Sequence, residues 1–460
     1  MTIINDLLHT SILFWMTWVI IPIVMELLPT IFDFGILLKR YIFRGKERTL
    51  DYQPEITLII PVYNSRDTLY ECIRSVNDSD YDSKKIFILL VNNQSKDDSF
   101  SVYTRCQKDF PDLTINWINA RQGKSKALNM ALFNSYGKYI IHIDSDGILH
   151  PNAIKNIVKR FENDDSVDCL TGTVLTNPEL IEATDKPSLK LLQRLEFMEY
   201  CNAFLAGRNF QSEFNAIFTL SGACSAFRKS AILKTQLYNT DTICEDTHVT
   251  FQIRDMLGDR VALCEDAIFM VDPIESLNRL YIQRQRWQRG EIEVMHMFKE
   301  KNLHIARGFM SDFIIRLLIY DHTFAFPRMI WYFALICLSF LSYPVKLIVE
   351  SVIMLYLLYT FSTALLYVCI ILFLKDEKKL RRYYAKKWYL VVLMPAFNFV
   401  SFWFRFVGII NSINGKQSWK MRDFTEEKAV FTQKVRSDHN KIDSFILKLR
   451  NAVNEVEENG

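Results

Sequence analysis

Glycine and proline are scarce in this chain, 14 and 12 of 460 residues. That excludes collagen-like and low-complexity architectures. Cysteine is present but unorganised: nine residues (Cys72, Cys106, Cys169, Cys201, Cys224, Cys244, Cys264, Cys337 and Cys369), an odd total with no CxxC pair. Neither a zinc site nor a disulfide framework is supported. No charge of one sign dominates, since 55 Lys+Arg against 52 Asp+Glu leaves +3. A nucleic-acid partner recognised by bulk charge is therefore not expected. What is abundant is apolar surface: 50% hydrophobic residues, among them 34 Phe, 20 Tyr and 8 Trp. The length suits two or three domains, and the apolar residues are unevenly spread along it.

From Ser11 to Leu38 the only acids are Glu26 and Asp33, and the run is long enough to cross a bilayer, with Trp15 and Trp18 as interface anchors. No Lys or Arg precedes it, which argues against a secretory signal. Lys39, Arg40, Arg44, Lys46 and Arg48 follow, so the next domain is expected on the cytoplasmic side. A second apolar block begins near Pro327, with Arg328–Tyr343 and Leu347–Leu374 reading as a helical hairpin. The loop 375–387 carries seven Lys/Arg and is again expected to be cytoplasmic. Trp388–Ile413 is a third candidate, interrupted by Pro395, Asn398 and Arg405. A charge at the bilayer centre costs at least ~2.5 kcal/mol, so this segment reads either as a full span or as a re-entrant or interface helix. Between Ser276 and Phe326, Phe309, Phe313, Leu317 and Tyr320 recur at helical spacing among Arg307, Asp312 and Arg316, the pattern of helices lying along a membrane surface.

The middle of the chain reads differently. Ile56–Val62, Ile86–Val91 and Tyr139–Ile143 are near-continuous aliphatic runs, as buried parallel strands require, and helical patterns at Thr68–Asn77 and Lys124–Asn134 separate them. The rhythm predicts a doubly wound α/β sheet whose ligands lie beyond the carboxyl ends of the strands. The organisation expected is 1–40 as an N-terminal span, 41–275 as the catalytic domain, 276–326 as amphipathic interface helices, 327–413 as two to three C-terminal spans, and 414–460 as a polar tail.

Polar clusters follow those strands. Pro61, Tyr63 and Asn64 end the first, and Asn92 ends the second; each asparagine is equally a turn former. In Arg121–Asn129, Gly123 before Lys124 at a helix start can bring an ammonium and backbone N–H groups to phosphate, although the spacing is not that of a P-loop. Asp144-Ser145-Asp146 presents two carboxylates on one side of an extended chain, suited to Mg2+ or Mn2+ bridging to a diphosphate, or else to capping the next helix. Glu245-Asp246 is a further acidic pair at a helix start. Gln283-Arg284-Gln285-Arg286-Trp287 combines planar donors with a stacking face, suited to diphosphate and sugar or to an anionic membrane surface.

In order and spacing these pieces resemble the membrane-embedded, processive family 2 glycosyltransferases, the group of cellulose, poly-N-acetylglucosamine, hyaluronan and chitin-oligosaccharide synthases. The matching segments run from Pro-Val-Tyr-Asn at 61–64 through Ser221–Arg228 and Cys244–Thr250 to Gln283–Trp287. The resemblance implies a GT-A type domain, a Rossmann-like mixed sheet inserted between N-terminal and C-terminal transmembrane helices. It implies inverting, metal-dependent transfer from a nucleotide-sugar, a UDP-sugar, to the end of a growing polysaccharide, in a multi-pass protein of the cell membrane, with accessory export or biosynthesis proteins as partners. The alternatives are transfer of a single sugar to a lipid-linked acceptor and an inactive scaffold. Carried over residue by residue, Asp144 and Asp146 match the metal-binding DxD, Asp246 the general base with Glu245 beside it, and Ser221, Gly222, Ala223 and Trp287 the acceptor site. Pro61, Tyr63, Asn64, Asn92, Lys124, Asp144, Ser145, Gln283 and Arg286 fall to the nucleotide-sugar. Two departures stand out: Asn92 replaces the usual Asp that contacts the uracil N3–H, and Cys244-Glu245-Asp246 replaces Thr-Glu-Asp.

Overall fold

In the computed structural model, β1 (Ile56–Val62) is buried at all seven positions, because both of its faces are covered. It pairs in parallel with β2 (Ile86–Asn92) and with β4 (Tyr139–Ile143). β3 (Thr114–Asn119) adds the outer parallel strand beside β2. The structure describes residues 20, 23–43, 52–298, 325–341, 343–414 and 426. Sequence reasoning passed over β3, whose Thr-Ile-Asn-Trp-Ile-Asn run buries only Ile115 and leaves Thr114, Asn116 and Asn119 exposed, as an outer strand can.

The second half of the sheet is mixed. β5 (Gly147–Leu149) and β7 (Cys224–Arg228) run antiparallel to their neighbours, whereas β6 (Val167–Thr176) and β8 (Arg260–Val271) pair in parallel. The strand order is β3-β2-β1-β4-β7-β6-β8-β5. That order forces a shape. β4 ends at Ile143 and β5 begins at Gly147, yet three strands lie between them in the sheet. Four inter-strand steps in a flat sheet span roughly 19 Å, whereas four residues of chain reach about 14 Å. The sheet therefore curls, and Asp144-Ser145-Asp146 is the segment that closes the gap. The DxD is placed by topology as well as by the end of a strand.

Helices cover the sheet and extend beyond it. They are α1 (Leu28–Ile42), α2 (Leu69–Asn77), α3 (Ser99–Asp109), α4 (Lys124–Phe133), α5 (Ala153–Asn163), α6 (Pro187–Tyr200), α7 (Glu245–Phe251), α8 (Leu277–Met297), α9 (Ala325–Phe340), α10 (Val345–Phe373), α11 (Lys378–Ala385) and α12 (Leu390–Asn414). A π-helical turn over Cys201–Gly207 carries α6 onward to a short helix at Arg208–Glu213. Such turns recur at functional sites, and here its residues line the cavity described below.

Among the described residues two helices are long and apolar enough to cross a membrane, Val345–Phe373 and Leu390–Asn411. α9, which covers most of the first arm of the expected hairpin, has 16 residues. α12 runs unbroken through Pro395 and packs along α8: Asn411 Nδ2 donates to Gln285 Oε1 at 3.1 Å, and a Cβ at Gly408 would stand 3.1 Å from the Gln285 backbone. Arg405 is 3% exposed and faces the cavity, so protein rather than lipid surrounds it. The first part of the expected N-terminal span, the Phe309–Tyr320 interface pattern and, apart from Glu426, the tail beyond Asn414 lie outside the described residues.

Candidate active site

The loop after β4, the start of α4, the turn before β7 and the start of α7 converge at one end of the curled sheet. Lys124 is the point where they meet. Its Nζ lies 2.6 Å from Asp144 Oδ1 and 3.7 Å from Glu245 Oε1, and it donates to Gly222 O at 3.3 Å. Burial alone would lower the Lys124 pKa, but the Asp144 and Glu245 carboxylates outweigh it and push the ammonium up. Glu245 is buried, and its carboxyl rises to about 7 because desolvation exceeds the help from Lys124. Asp146 stands open to water within the concavity; the protein around it and the Asp144 charge raise its pKa.

Asp246 occupies the first turn of α7. Its Oδ1 accepts from the Thr247 N–H at 2.7 Å, and its carbonyl accepts from Thr250 Oγ1 at 2.6 Å. Thr250 Oγ1 in turn accepts from Leu220 N at 2.9 Å, which ties the helix to the Ser221-Gly222-Ala223 turn. That turn lies against the Asp246 side chain: a Cβ on Gly222 would stand 2.9 Å from Asp246 Oδ2 and displace that carboxylate. The Ala223 carbonyl receives the Asp144 N–H at 3.2 Å, so the same turn also holds the DxD loop. On the opposite side Gly290 lets α8 approach, where a Cβ would come within 2.8 Å of the Cys244 Cβ.

These groups share a cavity of about 500 Å3. Lys124, Asp144, Asp146, Ser221, Gly222, Ala223, Glu245, Asp246, Gln283, Arg286 and Trp287 all line it. Gln283 and Trp287 are half-buried on α8, and Arg286 is exposed. The remaining candidates do not line it. Tyr63 and Asn64 are exposed at the end of β1, just past the buried Val62, with Asn64 at φ +52°. Pro61 lies within β1, opposite Val91 of β2. Asn92 binds its own neighbourhood: Oδ1 accepts from Ser95 N at 2.9 Å, and Nδ2 donates to Asn119 Oδ1 at 3.0 Å. Ser145 is buried, its hydroxyl paired with Ser65 Oγ at 2.7 Å, so it anchors the loop whose flanking carboxylates face the cavity.

Sequence reasoning passed over Arg208 and His142. Arg208 lines the cavity, is buried, and donates to Thr171 Oγ1 at 2.9 Å; Thr171 Oγ1 also accepts the Ser221 N–H at 3.0 Å. Burial lowers the guanidinium to about 10, with Asp246 opposing, so it remains cationic. His142 lies behind the DxD, with Nε2 3.8 Å from Asp144 Oδ1; burial and Lys124 hold it down at about 3, hence neutral. Neither belongs to a local motif that would have marked it.

Among the described residues no three His, Cys, Asp or Glu side chains cluster as a complete metal cage. Asp144 and Asp146 nonetheless fit a divalent cation whose remaining ligands are substrate oxygens, the arrangement Mg2+ favours. Asp144 already accepts a cation, the Lys124 ammonium.

Residues 57–235 match the family described as glycosyl transferase family 2. The chain is 26% identical over 245 residues to a poly-beta-1,6-N-acetyl-D-glucosamine synthase of Staphylococcus aureus (strain MSSA476), covering 52% of this chain and 55% of that protein. It is 26% identical over 329 residues to the synthase of the same name from Staphylococcus epidermidis, covering 64% and 75%. The chain thus spans about half the length of the first of these relatives. In fold it is similar to a mannosyltransferase from Pyrobaculum calidifontis solved with GDP-Man and Mn2+, with a TM-score of 0.55 and 20% identity over 80% of this chain and 98% of that one. The match at residues 57–235 thus resembles the family 2 glycosyl transferases, and the domain that contains it has a GT-A fold.

Proposed function

We propose that the protein transfers a sugar from a nucleotide-sugar, a UDP-sugar, to the end of a growing polysaccharide, with inversion at the anomeric carbon. The observation that carries this reading is one cavity lined by a carboxylate pair, a separate carboxylate and an Arg–Trp helix: Asp144 and Asp146, Asp246, and Arg286 with Trp287. Lys124 and Arg286 bind the donor diphosphate as cations, while Glu245 holds Lys124 in place. A bound Mg2+ or Mn2+, held by Asp144 and Asp146, would neutralise charge on the leaving diphosphate. Asp246 accepts the proton of the acceptor hydroxyl as that oxygen forms its bond to the anomeric carbon. The bond from that carbon to the diphosphate oxygen breaks, and the nucleoside diphosphate leaves with the electron pair. Trp287 stacks the terminal acceptor sugar.

In this reading the domain at 41–275 lies on the cytoplasmic side of a cell membrane. Helices α10 and α12 are embedded beside it, and transfer is processive and coupled to translocation. Support comes from their length and apolar character, and from the cavity wall, which includes Leu366 of α10 and Arg405 of α12. Accessory export proteins complete the assembly. The name of the Staphylococcus relatives makes UDP-N-acetylglucosamine the first donor to test. The test is nucleotide release from a panel of nucleotide-sugars with Mg2+ or Mn2+, followed by product sizing. Long products at low turnover support processive synthesis, single additions support the one-sugar transferase, and no release from any donor contradicts the reading.

A further inference from the structure

Gln193, Glu196 and Glu199 recur every third residue of α6 and so share one face, and all three are buried. The first two clamp both backbone polar groups of Ile274. Gln193 Nε2 donates to the Ile274 carbonyl at 2.9 Å, and the Ile274 N–H donates to Glu196 Oε2 at 2.8 Å. This fixes the turn from which α8 departs. One turn further along α6, Glu199 is ion-paired with Arg284, which is 0% exposed.

Arg284 sits in one of the two variable places of Gln-x-x-Arg-Trp, yet it touches the motif residues on either side of it. Its Nη1 donates to Gln283 Oε1 at 2.5 Å, and its Cζ lies 4.4 Å from the centroid of the Trp287 ring. Tyr200, next to Glu199, lies 5.8 Å from the same guanidinium and accepts from Gln283 Nε2 at 3.4 Å. Gln283 and Trp287 line the cavity, whereas Arg284 is not part of its wall. Stability alone is a weak reason for such a pair, because well-packed apolar residues of similar volume often serve as well as a buried ion pair. A guanidinium beneath an indole face, by contrast, fixes the plane of the ring.

We infer that Arg284, anchored by Glu199, is a positioning residue that sets the Trp287 indole at the acceptor end of the cavity, and so governs engagement of the acceptor sugar. The inference deepens the sugar-transfer reading and rests on it. The test uses the full chain in nanodiscs, the donor found to support nucleotide release, and a short oligosaccharide of the same sugar as acceptor. Arg284→Met leaves Glu199 buried without its partner, so the paired variant Glu199→Leu with Arg284→Met is measured beside it and decides alone if the single variant does not fold. The acceptor KM is expected to rise about tenfold or more in both, with acceptor-free nucleotide release within about twofold of the parent. Arg284→Lys should recover part of the loss. In a Trp287→Phe background, adding Arg284→Met should change the acceptor KM by less than about twofold, since Arg284 acts through that ring.

An unchanged acceptor KM, acceptor-free release falling in parallel with transfer, or multiplying effects of Arg284→Met and Trp287→Phe would each overturn the inference. A parent protein that releases no nucleotide from any donor overturns the sugar-transfer reading itself, and this inference with it.

Discussion

Lys124 Nζ and Asp144 Oδ1 stand 2.6 Å apart, an ion pair between the start of α4 and the loop that closes the curled sheet. The same ammonium reaches Glu245 at 3.7 Å, so one cation gathers carboxylates from two elements in the cavity. Lys124→Met is expected to raise the donor KM about tenfold or more and to lower kcat by roughly tenfold to a hundredfold, because a charge facing the diphosphate is lost. Lys124→Arg should retain part of the activity. Nucleotide release against donor concentration measures both, and an unchanged donor KM would remove Lys124 from the donor site.

Gly222 and Asp246 yield a second prediction. A methyl group at 222 would press on Asp246 Oδ2 at 2.9 Å. Gly222→Ala should lower kcat by about tenfold or more while the donor KM stays within about twofold, since small misplacements of a reacting group carry large rate costs. A normal kcat in this variant would mean that the carboxylate position does not matter.

The sequence and the structure agree where burial is continuous and part where it is selective. β1, β2 and β4 were legible because Ile-Thr-Leu-Ile-Ile-Pro-Val, Ile-Phe-Ile-Leu-Leu-Val and Tyr-Ile-Ile-His-Ile leave no face for water. β3 was not, because an edge strand keeps Thr114, Asn116 and Asn119 exposed. Asp144 and Asp146 were legible as acids following the apolar run Tyr139–Ile143, and Asp246 as part of an acidic pair at a helix start; the structure brings all three to one cavity. Ser145 and Asn92, grouped with them by position in the chain, are instead tied to Ser65 and Asn119, contacts set by residues 80 and 27 positions away. The role of α6 was hidden for a related reason. Glu196 and Glu199 look like a solvated helix face until Arg284 and Ile274, far along the chain, are folded against them.

Metal removal tests the Asp144–Asp146 pair. Chelation by EDTA is expected to abolish nucleotide release, and added Mn2+ or Mg2+ to restore it. Asp146→Asn should weaken the metal dependence, read as a raised metal concentration at half activity, by about tenfold or more. Full activity in EDTA would contradict a metal role for this pair.

Glu196 gives a stability prediction with a defined sign. Burial raises its carboxyl from an ordinary 4.5 to about 7. The folded protein therefore holds a proton that the unfolded chain has lost over that interval. This contribution to stability is fully present below about pH 4.5 and is lost as pH rises toward and through 7. Glu196→Gln keeps an acceptor for the Ile274 N–H but cannot ionise. Its stability relative to the parent, followed by denaturant melts, should improve between pH 5 and pH 8 by up to about 3 kcal/mol. A difference that does not vary with pH would show that Glu196 ionises in the folded state as it does in water.

The most direct test concerns Asp246, the carboxylate assigned to take the acceptor proton. Purified full-length Asp246→Asn should bind the nucleotide-sugar with a Kd within about twofold of the parent, by calorimetry or competition, while sugar transfer falls by roughly a thousandfold or more. Near-normal turnover by Asp246→Asn would contradict the account at its centre.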